Sequence, residues 1–177
     1  MSDAAKKTAA TPGLGTTLAS IVNGCFGDYL SQRDNGLAID MAFYRNNRPL
    51  PLTPETLREA FPAPTSKLCV LVHGLCCHEG AWDYPDNPAR SYGSALQDDL
   101  GYTPFFLRYN TGLPIPYNGT ALDALLEKLL AAYPLDVEEL VLVGHSMGGL
   151  VLRGACHFGA ERGATWVGKV KRVFYIG

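Results

Sequence analysis

The sequence predicts an α/β fold, a mostly parallel sheet with helices on both faces. Three observations predict it. Apolar strand-like runs and helical patterns alternate from residue 67 onward. Lys67-Leu68-Cys69-Val70-Leu71-Val72 is a short, nearly continuous apolar run, as a buried parallel strand requires, and it leads straight into His73-Gly74-Leu75. Leu140-Val141-Leu142-Val143 is a second such run, followed directly by Gly144-His145-Ser146-Met147-Gly148.

The elements follow in order. Residues 1–14 are small and polar, with Pro12 and Gly13, and are expected to be disordered. Leu18, Ile21, Val22, Cys25, Phe26, Tyr29 and Leu30 recur at three- and four-residue steps, which predicts a helix with a core-facing stripe. The polar side of that stripe is poor in Lys and Arg, which argues against a membrane-surface helix. Leu37, Ile39, Met41 and Phe43 alternate as in a half-buried strand, and Asn46-Asn47 signals a hairpin turn toward Leu50. Thr53-Pro54 is an N-cap followed by proline at the first helical position, opening a short helix to about Phe61. Pro62 to Ser66 is a rigid connector. Residues 15–66 thus read as a helix and hairpin leading into the sheet.

Beyond His73-Gly74, Ser91 to Leu100 reads as a helix closed by Gly101, and Thr103 to Tyr109 as a strand centred on Phe105, Phe106 and Leu107. Leu122, Leu125, Leu126, Leu129 and Leu130 mark a helix starting near Asn118-Gly119-Thr120 and ending before Pro134. Leu150, Val151 and Leu152 begin a helix behind Ser146. Arg172 to Gly177 reads as one more core strand.

Composition narrows the function classes. The 177 residues suit one ordinary domain, and 47% hydrophobic, 18% charged and 10% aromatic content is a globular profile. A net charge of -2 gives no reason to expect a nucleic-acid partner. No stretch approaches a membrane span in length, and the polar start Met1-Ser2-Asp3-Ala4-Ala5-Lys6-Lys7 lacks a signal-peptide core. A cytoplasmic location is the expectation, with peripheral membrane contact left open. The five cysteines, Cys25, Cys69, Cys76, Cys77 and Cys156, are odd in number and show no metal-knuckle spacing. Free thiols are the favoured reading, with a vicinal redox pair at Cys76-Cys77 as the sharper alternative.

Gly144-His145-Ser146-Met147-Gly148 carries the chemistry. A Gly-x-Ser-x-Gly turn between a strand and a helix is the geometry of a nucleophile elbow. Gly144 and Gly148 let the turn close, and the helix N-terminus behind Ser146 favours negative charge beside it. A dinucleotide site is excluded because the turn lacks Gly-x-Gly-x-x-Gly, and a P-loop because no Gly-Lys-Ser/Thr follows. No cofactor and no metal is called for. His73 and Gly74 support the loop after the first strand, and His145 packs at the elbow. His78 and Glu79 stand either at the substrate entrance or in a solvated loop, whereas Trp82 reads as packed. Asp98-Asp99 reads as a solvated face.

With the residues quoted, the chain resembles the α/β-hydrolase superfamily. Val70-Leu71-Val72-His73-Gly74-Leu75 and Gly144-His145-Ser146-Met147-Gly148-Gly149 are similar to bacterial lipases and to hydrolases related to GPI inositol deacylases. Arg108-Tyr109-Asn110-Thr111-Gly112, with Asn118-Gly119, resembles the same branch. The resemblance covers roughly residues 67–177. It implies serine-ester hydrolysis through an acyl-enzyme, acting on a small-molecule or lipid ester. Ser146 is then the nucleophile, and the backbone N–H groups of Leu75 and Met147 form the oxyanion hole.

The chain departs from that family in one respect. The family order is Ser, then Asp or Glu, then His. After Ser146 only Glu161 and His157 are available. His157 lies eleven residues along the helix, roughly 16 Å at about 1.5 Å per residue, beyond hydrogen-bond reach. It is expected to be a partly buried helix residue. Residues 67–177 therefore read as the N-terminal part of a hydrolase domain, incomplete on its C-terminal side, with the catalytic acid and histidine missing and with little turnover alone. The alternatives are a non-catalytic α/β-hydrolase-like binding module, or a thioesterase or acyltransferase using the same elbow.

Overall fold

The computed structural model describes Gly15, residues 18–21 and residues 39–177. Most of the stripe expected over residues 18–30 lies outside the described residues, as do Cys25, Leu37 and residues 1–14. Leu18 and Ile21, which are described, are exposed rather than core-facing.

A hairpin comes first. β1 (Ala42–Arg45) and β2 (Arg48–Pro49) are antiparallel, joined through Asn46 and Asn47 at φ of 52° and 59°. Both turn residues occupy the left-handed region that two-residue hairpins need and that asparagine tolerates. The strand starts later than the alternation suggests. Ile39 and Met41 precede it, half-buried, and only Phe43 is fully buried. Helix α1 (Pro54–Ala60) is capped as expected: the Thr53 hydroxyl accepts from Thr56 N–H at 3.2 Å, and Pro54 sits in the first turn.

The α/β alternation then runs β3 (Lys67–Val72), α2 (Tyr92–Leu100), β6 (Thr103–Arg108), α3 (Ile115–Ala132), β7 (Glu139–His145), α4 (Met147–Glu161) and β8 (Val170–Ile176). A small hairpin of β4 (Asp83–Tyr84) and β5 (Asn87–Ser91) fills the β3–α2 connection, which no sequence signal announced. Ser91 and Ser94 form a reciprocal cap on α2, and Gly101 ends it at φ 73°. Helix α3 begins at Ile115, ahead of the expected Asn118. Pro116 lies in its first turn, where no N–H is needed for the helical ladder.

The sheet has six strands in the order β2-β1-β6-β3-β7-β8. β6, β3, β7 and β8 are parallel, and β1 is antiparallel to β6. Alternation within each strand divides the core. Leu68, Val70, Val72, Leu140 and Leu142 point to the side where Leu57 of α1, Leu122, Leu126 and Leu129 of α3, and Val151 and Leu152 of α4 pack. Cys69, Leu71, Val141 and Val143 point to the other, with Trp82 and Leu96 of α2. Both faces are thus covered, as a parallel sheet demands.

Register decides where the loops meet. Val72 pairs with Gly144 and Leu107, and Gly144 pairs with Tyr175. The carboxyl ends of β3, β6, β7 and β8 therefore lie side by side. This is the edge at which open α/β sheets place ligands.

Candidate functional site

Four segments converge on that edge: residues 73–77 after β3, 109–112 after β6, Ser146 after β7, and the end of β8. Ser146 takes φ 52° and ψ -122° between the last residue of β7 and the first of α4. This is a sparsely populated conformation for a residue with a side chain, retained only where the surroundings over-determine it. Here the surroundings are identifiable. Ser146 N–H donates to Ile176 O at 2.7 Å, Gly149 N–H returns to Ser146 O at 3.0 Å, and two glycines hold the approach. A Cβ at Gly148 would meet Val72 O at 2.3 Å, and one at Gly144 would meet Gly149 Cα at 2.7 Å. Neither position accepts a side chain without moving backbone.

Gly74 sits against the serine. A Cβ there would lie 3.1 Å from both Ser146 Cβ and His145 Nδ1, so the His-Gly loop and the elbow are in contact. The peptide between Gly74 and Leu75 is fixed from one side. Gly74 O accepts from His73 Nδ1 at 2.9 Å and from Cys77 N–H at 3.3 Å. In a trans peptide the carbonyl and the next N–H point in opposite directions, so Leu75 N–H faces away from those partners. Met147 N–H opens α4 and has no intrahelical acceptor. Leu75 itself is exposed.

His73 is fully buried, stacked on Tyr109 with ring centroids 4.6 Å apart. Because a carbonyl only accepts, Nδ1 carries the proton, and Nε2 has no partner among the described residues. Burial pushes its pKa down to about 4, so the ring is neutral at physiological pH. The neutral ring thus sits between the Gly74 carbonyl and the Tyr109 ring.

The segment after β6 braces the same loop. Tyr109 O–H donates to His73 O at 2.9 Å, and the Thr111 hydroxyl accepts from Cys76 N–H at 3.1 Å. Asn118 Nδ2 donates to Asn110 O at 3.0 Å, and Gly112 N–H to Asn110 Oδ1 at 3.0 Å. Arg108 makes a two-pronged ion pair with Glu79, at 2.6 Å from Nε to Oε2, and a shorter contact from Nη2 to Oε1. Its guanidinium also lies 3.9 Å from the centre of the Tyr44 ring. Sequence reasoning placed Glu79 at the entrance or in solvent. The structure corrects this, because the Arg108 side chain 29 positions away turns it inward. His78 is half-buried, and its Nδ1 accepts from Gly80 N–H at 3.0 Å. Burial lowers its pKa. Trp82 is packed, and Asp98 and Asp99 are exposed, as expected.

His157 is corrected as well. It is exposed, not partly buried, and faces Glu161 at 3.5 Å one turn along α4. Among the described residues, which include all four histidines, none hydrogen-bonds to the Ser146 hydroxyl. Cys69, Cys76, Cys77 and Cys156 are free thiols, and burial pushes Cys69 up to about 12. No helix among the described residues is long and apolar enough to cross a membrane.

Beside Ser146 lies a groove of about 430 Å³, lined by Leu150 and Arg153 of α4 and by Tyr175 and Ile176 of β8. The sequence reading missed Arg153. The available signal was helical spacing, since Ser146, Leu150 and Arg153 follow at steps of four and three.

A parallel sheet carrying a serine on a strained strand-to-helix turn, with a His-Gly loop in contact with it, defines a class of α/β protein whose site stands at the carboxyl edge of the strands. A sequence model of the Alpha/beta hydrolase family matches residues 69–176, and the chain belongs to that family, whose members are in general hydrolytic enzymes. No curated protein and no solved structure matches the chain.

Proposed function

We propose that the protein is a serine hydrolase of carboxylic esters, lipase- or esterase-like, similar to bacterial lipases and to hydrolases related to GPI inositol deacylases. The observation that carries this reading is Ser146 at φ 52°, held there by close backbone approach at Gly144 and Gly148. A strained serine at the head of a helix has no structural use that an unstrained residue would not serve better.

In this reading Ser146 Oγ attacks the ester carbonyl. The carbonyl oxygen becomes an alkoxide held by the N–H groups of Leu75 and Met147, and the alcohol leaves. Water then releases the acid from the acyl-enzyme. Two such donors contribute several kcal/mol to the barrier reduction. His73 and Gly74 hold the first donor, while Gly144, His145 and Gly148 support the elbow. This reading is conditional on a general base and an acidic partner for Ser146, since His73, His78 and His157 all face other groups. A serine without a base is a poor nucleophile at neutral pH, so turnover by these residues alone is expected to be slight. The same elbow would serve a thioesterase or acyltransferase, which substrate profiling separates.

A second reading is a binding module that uses the pocket without catalysis. It is favoured by the absence of any hydrogen bond from a histidine to Ser146 among the described residues.

The test is chemical rescue. The chain is incubated with a short-chain nitrophenyl ester and imidazole as external base, beside Ser146→Ala. The hydrolase reading expects imidazole to raise acyl transfer onto the peptide containing Ser146, seen as an added acyl mass. Equal acylation in both proteins would leave the binding module standing.

A further inference from the structure

We infer that Cys76 and Cys77 form a modification site beside the serine: a hydroperoxide oxidises the two thiols to a disulfide, and closure of that bond turns the Leu75 N–H away from Ser146. The inference deepens the proposed function and rests on it, since it takes Leu75 N–H as an oxyanion donor.

Of the five cysteines, only Cys76 and Cys77 are neighbours in the chain. Both are half-buried, so a small oxidant reaches them. Cys69 is fully buried in β3, where burial pushes its thiol up to about 12 and keeps it protonated. Cys156 stands apart on α4. The backbone of the pair holds the loop. Cys76 N–H donates to the Thr111 hydroxyl at 3.1 Å, and Cys77 N–H donates to Gly74 O at 3.3 Å. Leu75 is thus held through the peptide on each side of it. Between those bonds Cys76 takes φ 56°, a left-handed angle that residues with a Cβ rarely adopt. The loop's hydrogen bonds, not the preference of the residue, keep it there, so their loss frees the backbone to leave.

Geometry decides what closure does. The peptide joining the two cysteines is trans, which sets their Cα atoms about 3.8 Å apart. Disulfides ordinarily span about 4.4–6.8 Å between Cα atoms. The bond therefore forms only if the joining peptide moves, and Cys77 N–H belongs to that peptide. Its hydrogen bond to Gly74 O is given up, and the Gly74–Leu75 peptide loses the partner that aims Leu75 N–H. The same strain makes the bond easily reduced. A small disulfide is too weak an oxidant to hold it closed, whereas a peroxide closes it and a dithiol reopens it. One thiolate attacks a peroxide oxygen, breaks the O–O bond and becomes a sulfenic acid as water leaves. The second thiolate attacks that sulfur and expels its oxygen as water. Two electrons pass from the sulfurs to the peroxide, and the two thiol protons end in the two waters.

The test treats the reduced 177-residue chain with hydrogen peroxide and then alkylates the remaining thiols in denaturant. The tryptic peptide Leu68–Arg90 is expected to carry a Cys76–Cys77 bond, two hydrogens lighter, with Cys69 alkylated. Amide signals of Leu75, Cys76 and Cys77 should shift, those of Val141 to Val143 should stay, and dithiothreitol should reverse the change. Imidazole-promoted acylation of Ser146 should fall about 10- to 100-fold, approaching the loss of one oxyanion donor, and recover on reduction. Cys76→Ser and Cys77→Ser keep both backbone donors, and neither should lose acylation on peroxide treatment relative to its own untreated form. Absence of the bond, a bond that leaves the Leu75 signal in place, or an equal peroxide effect in Cys77→Ser overturns the inference. A reversible bond with a shifted Leu75 signal, but no Ser146 acylation in the reduced chain, would overturn the nucleophile reading and leave the modification site standing.

Discussion

Gly148 and His73 concentrate the strain and burial of the site in single residues. A Cβ at Gly148 would stand 2.3 Å from Val72 O and 2.5 Å from His73 O, so backbone must shift to admit it. Gly148→Ala is expected to lose about 3 kcal/mol or more of stability, read as a lowered urea midpoint at unchanged slope. A loss within experimental error would mean that the elbow has slack. His73 gives a pH signature. Its pKa falls from an ordinary 6.5 to about 4 on folding, chiefly through burial. Between those values the unfolded chain binds the additional proton, so stability present above pH 6.5 is lost as pH falls toward 4. The integrated effect is about 3 kcal/mol. His73→Gln keeps a donor for Gly74 O and should flatten that segment of the stability-versus-pH curve. An unaltered curve would assign the acid sensitivity to other groups.

The His-Gly loop and the segment after β6 act as one unit, because each covers the other's polar groups. Thr111→Val removes the acceptor of Cys76 N–H while keeping the shape of the side chain. The expected cost is about 1–2 kcal/mol, with faster hydrogen exchange at Cys76 and unchanged exchange in β3 and β7. Glu79→Gln probes the other brace. Both side chains of the pair are nearly buried, at 10% exposed for Arg108 and 12% for Glu79. Removing one charge leaves the other desolvated, so a loss of about 3 kcal/mol is expected in thermal or urea unfolding. A near-neutral result would show that water reaches the Arg108 guanidinium.

Among the described residues the sheet ends in an apolar flank. β8 is the last strand of the sheet, and Phe174, Tyr175 and Ile176 are 49%, 59% and 46% exposed. They border a cleft of about 380 Å³ shared with Leu71, Val141 and Leu100. An unpaired edge with large apolar side chains invites strand-to-strand association. Sedimentation of the 177-residue chain is expected to show association that rises with concentration, and Ile176→Lys should reduce it. Monodisperse behaviour of the unsubstituted chain at high concentration would contradict that expectation.

The sequence by itself determined the four parallel strands, several helix caps and the strand-to-helix turn at Ser146. Apolar runs at 67–72 and 140–143 specify buried parallel strands because both faces need cover. Thr53-Pro54, Ser91 and Gly101 set helix ends through hydrogen bonds and backbone angles within a few residues. Gly144 and Gly148 flank Ser146 in a pattern that already implied a tight turn. These signals are local, so they survive in the linear code. Tertiary structure alone decided which loops meet. The pairing of Val72 with Gly144 brings Gly74 against Ser146 across some seventy positions of chain. The Glu79–Arg108 pair, the Thr111 brace and the place of Arg153 in the serine's groove depend on that strand order and register. The exposure of His157 and the later start of β1 depend on which side each element turns to the core. Such outcomes follow from contacts between residues distant in sequence, which no spacing along the chain encodes.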